Sequence, residues 1–350
     1  MLWTRSVGVA WLTIGLAVWP QAARPGDIPQ SNLVGLSASK LAVVINSADP
    51  LSVAIGEYYV QRRNIPAANV ARVNFDNHRS IIPSAEFARL KTAIDEQLPG
   101  SVQAYALTWT RPYRVDCMSI TSAFAFGFDP SYCAQSCAAT KLSPYYNSTA
   151  VAPYDQLRVR PAMSIAASSL EQAKLLIDRG VHSDGTAPRG TAYLVSGNDA
   201  ARDVRAAEYP DSIMLVGDKI KITVVHGAAI EHRGDVMFYF VGAEQVPSID
   251  TNHFLPGAAA DHLTSFGGQL TDSSQMSSLK WLQAGATGSY GTVVEPCNFT
   301  SKFPNAALLM AHYLAGETLI EAYWKSVAMP GQGLFIGEPL AAPYRQGPLR

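Results

Sequence analysis

Ser265, Cys297 and His253 are the residues whose types suit nucleophilic chemistry in this chain. A serine hydroxyl needs an adjacent base before it attacks a carbonyl, whereas a cysteine thiol is partly ionised near neutral pH. Ser265 lies in Leu263-Thr-Ser265-Phe-Gly267, which lacks the first glycine of a Gly-x-Ser-x-Gly nucleophile elbow. A hydroxyl at a strand end more often satisfies local backbone than it performs catalysis. His226, Glu231, His232 and Asp235 are close in sequence, but their spacings do not converge on one helix face. They read as a solvated, hairpin-like turn rather than a metal site. There is no Gly-x-x-x-x-Gly-Lys-[Ser/Thr] phosphate loop and no His-Glu-x-x-His helix. The sequence therefore implies no cofactor and no metal.

The elements that must position these residues alternate between strand and helix. Leu41-Ala-Val-Val-Ile-Asn46 is a continuous apolar run and predicts a buried strand. Asp49-Pro50 then supplies a cap and a first helical residue, for a helix running to about Asn64. A strand over Val70–Phe75, a helix capped by Ser84 and a strand over Val102–Trp109 follow. Residues 112–157 break the rhythm and read as a Cys-containing insertion or lid. A second unit opens at Ser168-Ser-Leu-Glu171, a capping-box pattern whose helix ends at Arg179-Gly180. Strands are expected at Ala192–Val195, Lys221–Val225, Asp235–Val241, Ala258–Ser265, Ser289–Glu295 and Gly333–Ile336. Helices are expected over Gln275–Ala284, Asn305–Leu314 and Glu317–Val327. Short links between strands and helices imply right-handed crossovers and mostly parallel sheets.

In open α/β sheets ligands bind outside the carboxyl ends of strands. Those ends here are Val241-Gly-Ala-Glu244, Thr264-Ser265-Phe-Gly-Gly268 and Val294-Glu295-Pro-Cys297. A cleft formed by Gly242, Ala243, Gly267, Gly268 and Glu295 is the expected site, its glycines allowing backbone to approach a ligand closely.

Met1 to Ala23 reads as an export signal: Arg5, a short apolar run over Val7–Trp19, then Ala22-Ala23. The run is shorter than the roughly 20 residues that a spanning helix needs. A periplasmic or extracellular protein is expected, with no multi-span membrane region. Four cysteines suit an oxidising compartment, with Cys133–Cys137 or Cys117–Cys297 as the expected disulfides. Lys and Arg number 27 against 28 Asp and Glu, so the chain lacks the basic surplus that drives nucleic-acid binding.

The order of elements in 158–345 resembles the caspase-like domain of gingipain-type cysteine peptidases. Arg160-Pro-Ala-Met-Ser-Ile-Ala-Ala-Ser-Ser-Leu-Glu-Gln-Ala-Lys174 is similar to the family's opening strand and helix. Met237-Phe-Tyr-Phe-Val-Gly242 resembles the strand that ends at its catalytic His. Ala258-Ala-Ala-Asp-His-Leu-Thr-Ser265-Phe-Gly-Gly268 resembles the strand that ends at its catalytic Cys. Gly285-Ala-Thr-Gly and Gly337-Glu-Pro-Leu340 are similar to a glycine–alanine segment and a closing Gly-Asp-Pro-Leu. The chain also resembles a group of exported bacterial proteins from species with exosortase sorting systems. The resemblance implies a caspase-like α/β fold of two adjoining units with mostly parallel sheets, 35–111 and 158–345. It also implies Ala243 where the family has its histidine and Ser265 where it has its cysteine. Both halves of a peptidase dyad are then missing. The reading is a non-proteolytic protein that binds a peptide or an envelope component. The alternative is an active hydrolase that pairs Ser265 or Cys297 with His253; His262 is expected to point away from Ser265.

Overall fold

The computed structural model describes residues 35–346, so the expected export signal over 1–23 lies outside the described residues. Every residue of β1 (Leu41–Asn46) is buried, as an unbroken apolar run requires of a strand covered on both faces. Asp49 accepts from the Leu51 amide at 3.0 Å and caps α1 (Pro50–Arg63). β2 (Val70–Val73), β3 (Ile81–Ile82), α2 (Ser84–Gln97) and β4 (Ala104–Leu107) follow. Pro83, not Ser84, occupies the cap of α2, and Ser84 is its first helical residue.

The stretch expected to be an insertion contains core. It holds β5 (Arg114–Val115), β6 (Met118–Ser119), α3 (Ile120–Phe126) and α4 (Pro153–Leu157). Six of the seven α3 residues are buried, and a helix covered all round shows no amphipathic period to read. Ser119 caps it, accepting from the Ser122 amide at 3.0 Å. Phe124, Tyr132 and Tyr145 from the same stretch are buried in the core.

The remaining elements are β7 (Ala162–Ser164), α5 (Leu170–Ser183), β8 (Thr191–Ser196), α6 (Tyr209–Val216), β9 (Lys221–His226) and β10 (Val236–Gly242). Then come β11 (Phe254–Leu263), α7 (Leu279–Ala284), β12 (Gly288–Thr292), α8 (Ala306–Leu314), α9 (Leu319–Ser326) and β13 (Gly333–Gly337). Ser169 rather than Ser168 caps α5, accepting from the Gln172 amide at 3.2 Å.

Ten strands form one sheet in the order β2-β1-β4-β7-β13-β12-β11-β10-β8-β9. Neighbours are parallel except β12 and β13, so the strand direction reverses there. The mostly parallel α/β class expected from the strand–helix alternation is the observed one. The strands assigned to two units share this sheet, joined where β4 pairs with β7 (Tyr105 opposite Ala162). Buried Arg63 on α1 reinforces the join: it ion-pairs with Glu338 and Asp184, while the Tyr59 hydroxyl donates to Glu338 Oε1 at 2.7 Å. β9 and β10 both pair with β8, so the link carrying Glu231 and His232 is not a hairpin.

The cysteines pair differently from expectation. Cys117 bonds Cys133 and Cys137 bonds Cys297, each with Cα atoms 5.5 Å apart. β5 and β6 pair antiparallel on either side of Cys117, and the Asp129 amide lies against Met118 Sδ, which sets the turn bearing Cys133 beside Cys117 and leaves Cys137 to pair with the segment after β12.

Candidate functional site

β10, β11 and β12 are adjacent and parallel, so their carboxyl ends lie on one edge of the sheet. Gly242 is opposite Leu263, which sets Ala243 beside Thr264 and Ser265 at neighbouring strand ends. β11 ends at Leu263, two residues before Ser265, because the chain leaves the sheet once Thr264 turns to other partners. Ser265 is half-buried, and its carbonyl accepts from Thr292 Oγ1 at 2.8 Å.

Arg202 fills the space above these ends. Its guanidinium donates to Asp199 Oδ2 at 2.6 Å and to Thr264 Oγ1 at 3.2 Å, and lies 3.4 Å from Glu244 Oε2. Thr264 in turn donates to Gln275 Oε1 at 2.7 Å, which also accepts the Phe266 amide at 2.9 Å. Asp199 is held below the usual carboxylate range, chiefly by its hydrogen bond from Arg202. Thr264 is part of the strand end picked out in the sequence, but Arg202 and Gln275 escaped that reading, because neither belongs to a motif and the loop at 199–203 follows β8.

The glycines serve packing rather than ligand approach. A Cβ on Gly242 would overlap the Arg202 carbonyl oxygen, and one on Gly268 would sit 2.5 Å from the Gly291 carbonyl oxygen. At these two glycines protein backbone occupies the position a side chain would take. A Cβ on Gly267 would meet His262 and Thr264 side-chain carbons at 3.4 Å. Glu295 is exposed, three residues past β12, and its Oε1 accepts the Cys297 amide at 2.8 Å. With Cys137, Cys297, Asn298 and Phe299 it lines a concavity of about 580 Å³ beside the strand ends.

No imidazole among the described residues hydrogen-bonds the Ser265 hydroxyl. His253 precedes Phe254 at the amino end of β11, its Nδ1 3.2 Å from the Gly234 carbonyl oxygen. The ten-residue strand separates it from Ser265, a span on the order of 30 Å. The pairing of Ser265 with His253 on which the alternative reading depends is therefore not formed. His262 is fully buried, with Nδ1 accepting the Trp281 indole N–H and Nε2 donating to the Met276 carbonyl, both at 2.9 Å. His226 ends β9, three strands from β11 and so about 14 Å away along the hydrogen-bonding direction. Cys297 offers no thiolate, since its sulfur is bonded to Cys137. Among the described residues no three His, Cys, Asp or Glu side chains gather as a metal site.

Beneath the rim, Asp261 and Arg205 form a buried ion pair on the face of β11 opposite His262. Arg205 also donates to the Pro304 carbonyl at 3.2 Å and lies over the Phe240 ring. Burial pushes the Asp261 carboxyl up, and Arg205 opposes that shift.

The sheet and its paired strand ends define an α/β domain built on one mostly parallel sheet. A solved structure described as a protease matches 89% of this chain and 79% of its own, with a TM-score of 0.50 and 12% identity. The Arg-specific cysteine proteinase gingipain R matches 91% of this chain and 80% of its own, with a TM-score of 0.48 and 10% identity. No family model and no curated protein matches the sequence. Likeness at this level of identity speaks to fold and not to chemistry.

Proposed function

We propose that this chain is a peptidase-like domain without peptidase chemistry, which binds a peptide or an envelope protein. The observation that carries the reading is the pair of adjacent strand ends bearing Ala243 and Ser265, with no imidazole among the described residues hydrogen-bonded to the hydroxyl. Removing a general base alone costs roughly 10²–10⁴ in rate. Arg202, Glu244 and the exposed carboxylate of Glu295 still offer polar contacts to an extended chain. Two disulfides are in keeping with the periplasm or an extracellular space. Among the described residues no helix is long and apolar enough to cross a membrane.

The test is exposure of the full chain to a fluorophosphonate probe and a mixed peptide library, alongside Ser265→Ala. Neither stoichiometric labelling nor cleavage is expected, while peptides retained by the immobilised protein should be recovered intact. One label per chain that disappears in Ser265→Ala would make the protein a serine hydrolase instead.

A further inference from the structure

At the other end of the same strands, where β8, β9 and β10 begin, the surface forms a groove of about 510 Å³. Arg189, Lys219 and Lys221 line it, together with the apolar surfaces of Ile220, Leu314 and Tyr344. All three cations are exposed, and none has an acidic partner within ion-pair distance among the described residues. The one carboxylate in the wall, Asp235, offsets part of this charge and is held in place by two hydroxyls. Asp235 accepts from Thr191 Oγ1 at 2.6 Å and from the Tyr193 hydroxyl at 2.7 Å.

Three cations share the concavity with one carboxylate, Asp235, whose charge acts on Lys221; the positive excess that remains is relieved when an anion enters. The chain as a whole carries a formal charge of −1, so the cluster is not a by-product of a basic composition. The rim concavity beside Cys297 has the opposite character, with Glu295 and no cation in its wall. A bare inorganic anion would leave the half-buried Leu314 and Tyr344 side chains wet, whereas a ligand with an apolar body would cover them.

We infer that this groove binds an organic phosphate or sulfate ester with an apolar body. Arg189, Lys219 and Lys221 hold the anionic group, and Leu314 and Tyr344 take the body. The site is separate from the strand-end rim, so it stands whether or not that rim binds peptides. The chemistry is shared by a small free ester and by the headgroup of an anionic lipid.

The experiment is calorimetric titration of the full chain with phenyl phosphate, using benzyl alcohol as the uncharged match. Flotation with phosphatidylglycerol and phosphatidylcholine vesicles runs in parallel. Lys219→Gln/Lys221→Gln is the test variant and Lys280→Gln, an exposed lysine elsewhere, is the control. Saturable binding of phenyl phosphate is expected, with benzyl alcohol silent. The double variant should bind at least tenfold more weakly at an unchanged unfolding midpoint, and the control should bind as the parent does. Flotation with phosphatidylglycerol alone, lost in the double variant, assigns the headgroup; phenyl phosphate binding without flotation assigns the free ester. Absence of both, or equal binding by the double variant, overturns the inference.

Discussion

The indole N–H of Trp281 points at Nδ1 of His262, and this contact fixes the histidine as a neutral ring with its proton on Nε2. A second proton on Nδ1 would face the indole N–H head on. Burial drives the pKa of His262 down to about 4, with the Met276 carbonyl opposing the shift. The histidine nearest in sequence to Ser265 is thus a piece of core, serving the packing of α7 on β11.

This makes stability depend on pH in a defined window. The unfolded chain takes up a proton at His262 near its ordinary value of about 6.5, while the folded chain resists it until about pH 4. Stability should therefore be full above pH 6.5 and fall as pH drops toward 4, by about 3 kcal/mol from this group. Urea unfolding of the parent and of His262→Gln at pH 7 and pH 4.5 checks it. The parent should lose more stability than the variant between the two conditions.

The Arg205–Asp261 pair makes a second prediction. Arg205→Met or Asp261→Asn alone leaves a buried group without its partner, at a cost of about 3–5 kcal/mol. Arg205→Met/Asp261→Asn should cost less than the sum of the two single changes. Chemical denaturation of the three variants gives the comparison.

The disulfides differ in the loops they close. Cys137 and Cys297 are 160 residues apart, Cys117 and Cys133 only 16. Loop entropy assigns about 5 kcal/mol to the longer closure and about 3 kcal/mol to the shorter. Cys137→Ser/Cys297→Ser should accordingly melt at a lower temperature than Cys117→Ser/Cys133→Ser.

The register of β10 on β11 also has a chemical test. In Ser265→Cys the new thiol should titrate as an ordinary cysteine, near 8.5. Adding Ala243→His beside it should lower that value by at least a unit, by pairing thiolate with imidazolium. Iodoacetamide reaction rates against pH read both. An unchanged thiol in the double variant would mean that the two positions do not face one another.

Much of the fold was legible because buried parallel strands announce themselves as apolar runs. Leu41–Asn46 and Met237–Gly242 are examples, each flanked by turn residues and each a strand in the structure. The stretch around α3 was opaque for the opposite reason. Six buried residues in seven leave no polar face to set a period, and the helix is recognisable only through its neighbours. The site was partly legible: strand alternation located Ala243 and Ser265 on one edge, whereas the disulfide partners depend on chain paths that spacing does not encode. Gly242 and Gly268 stood out as sequence features, yet the atoms that demand them, the carbonyls of Arg202 and Gly291, come from remote segments.

The pairing of β4 with β7 makes the two halves of the chain thermodynamically inseparable. A fragment cut between them would bare the backbone edge of β7 along with the buried acid Glu338, deprived of Arg63 and Tyr59. A nick in the link between α4 and β7 should therefore release neither piece, and heating should show one transition rather than two. Any partner that grips the edge at β9 is then mechanically coupled, strand by strand, to β2 at the far end.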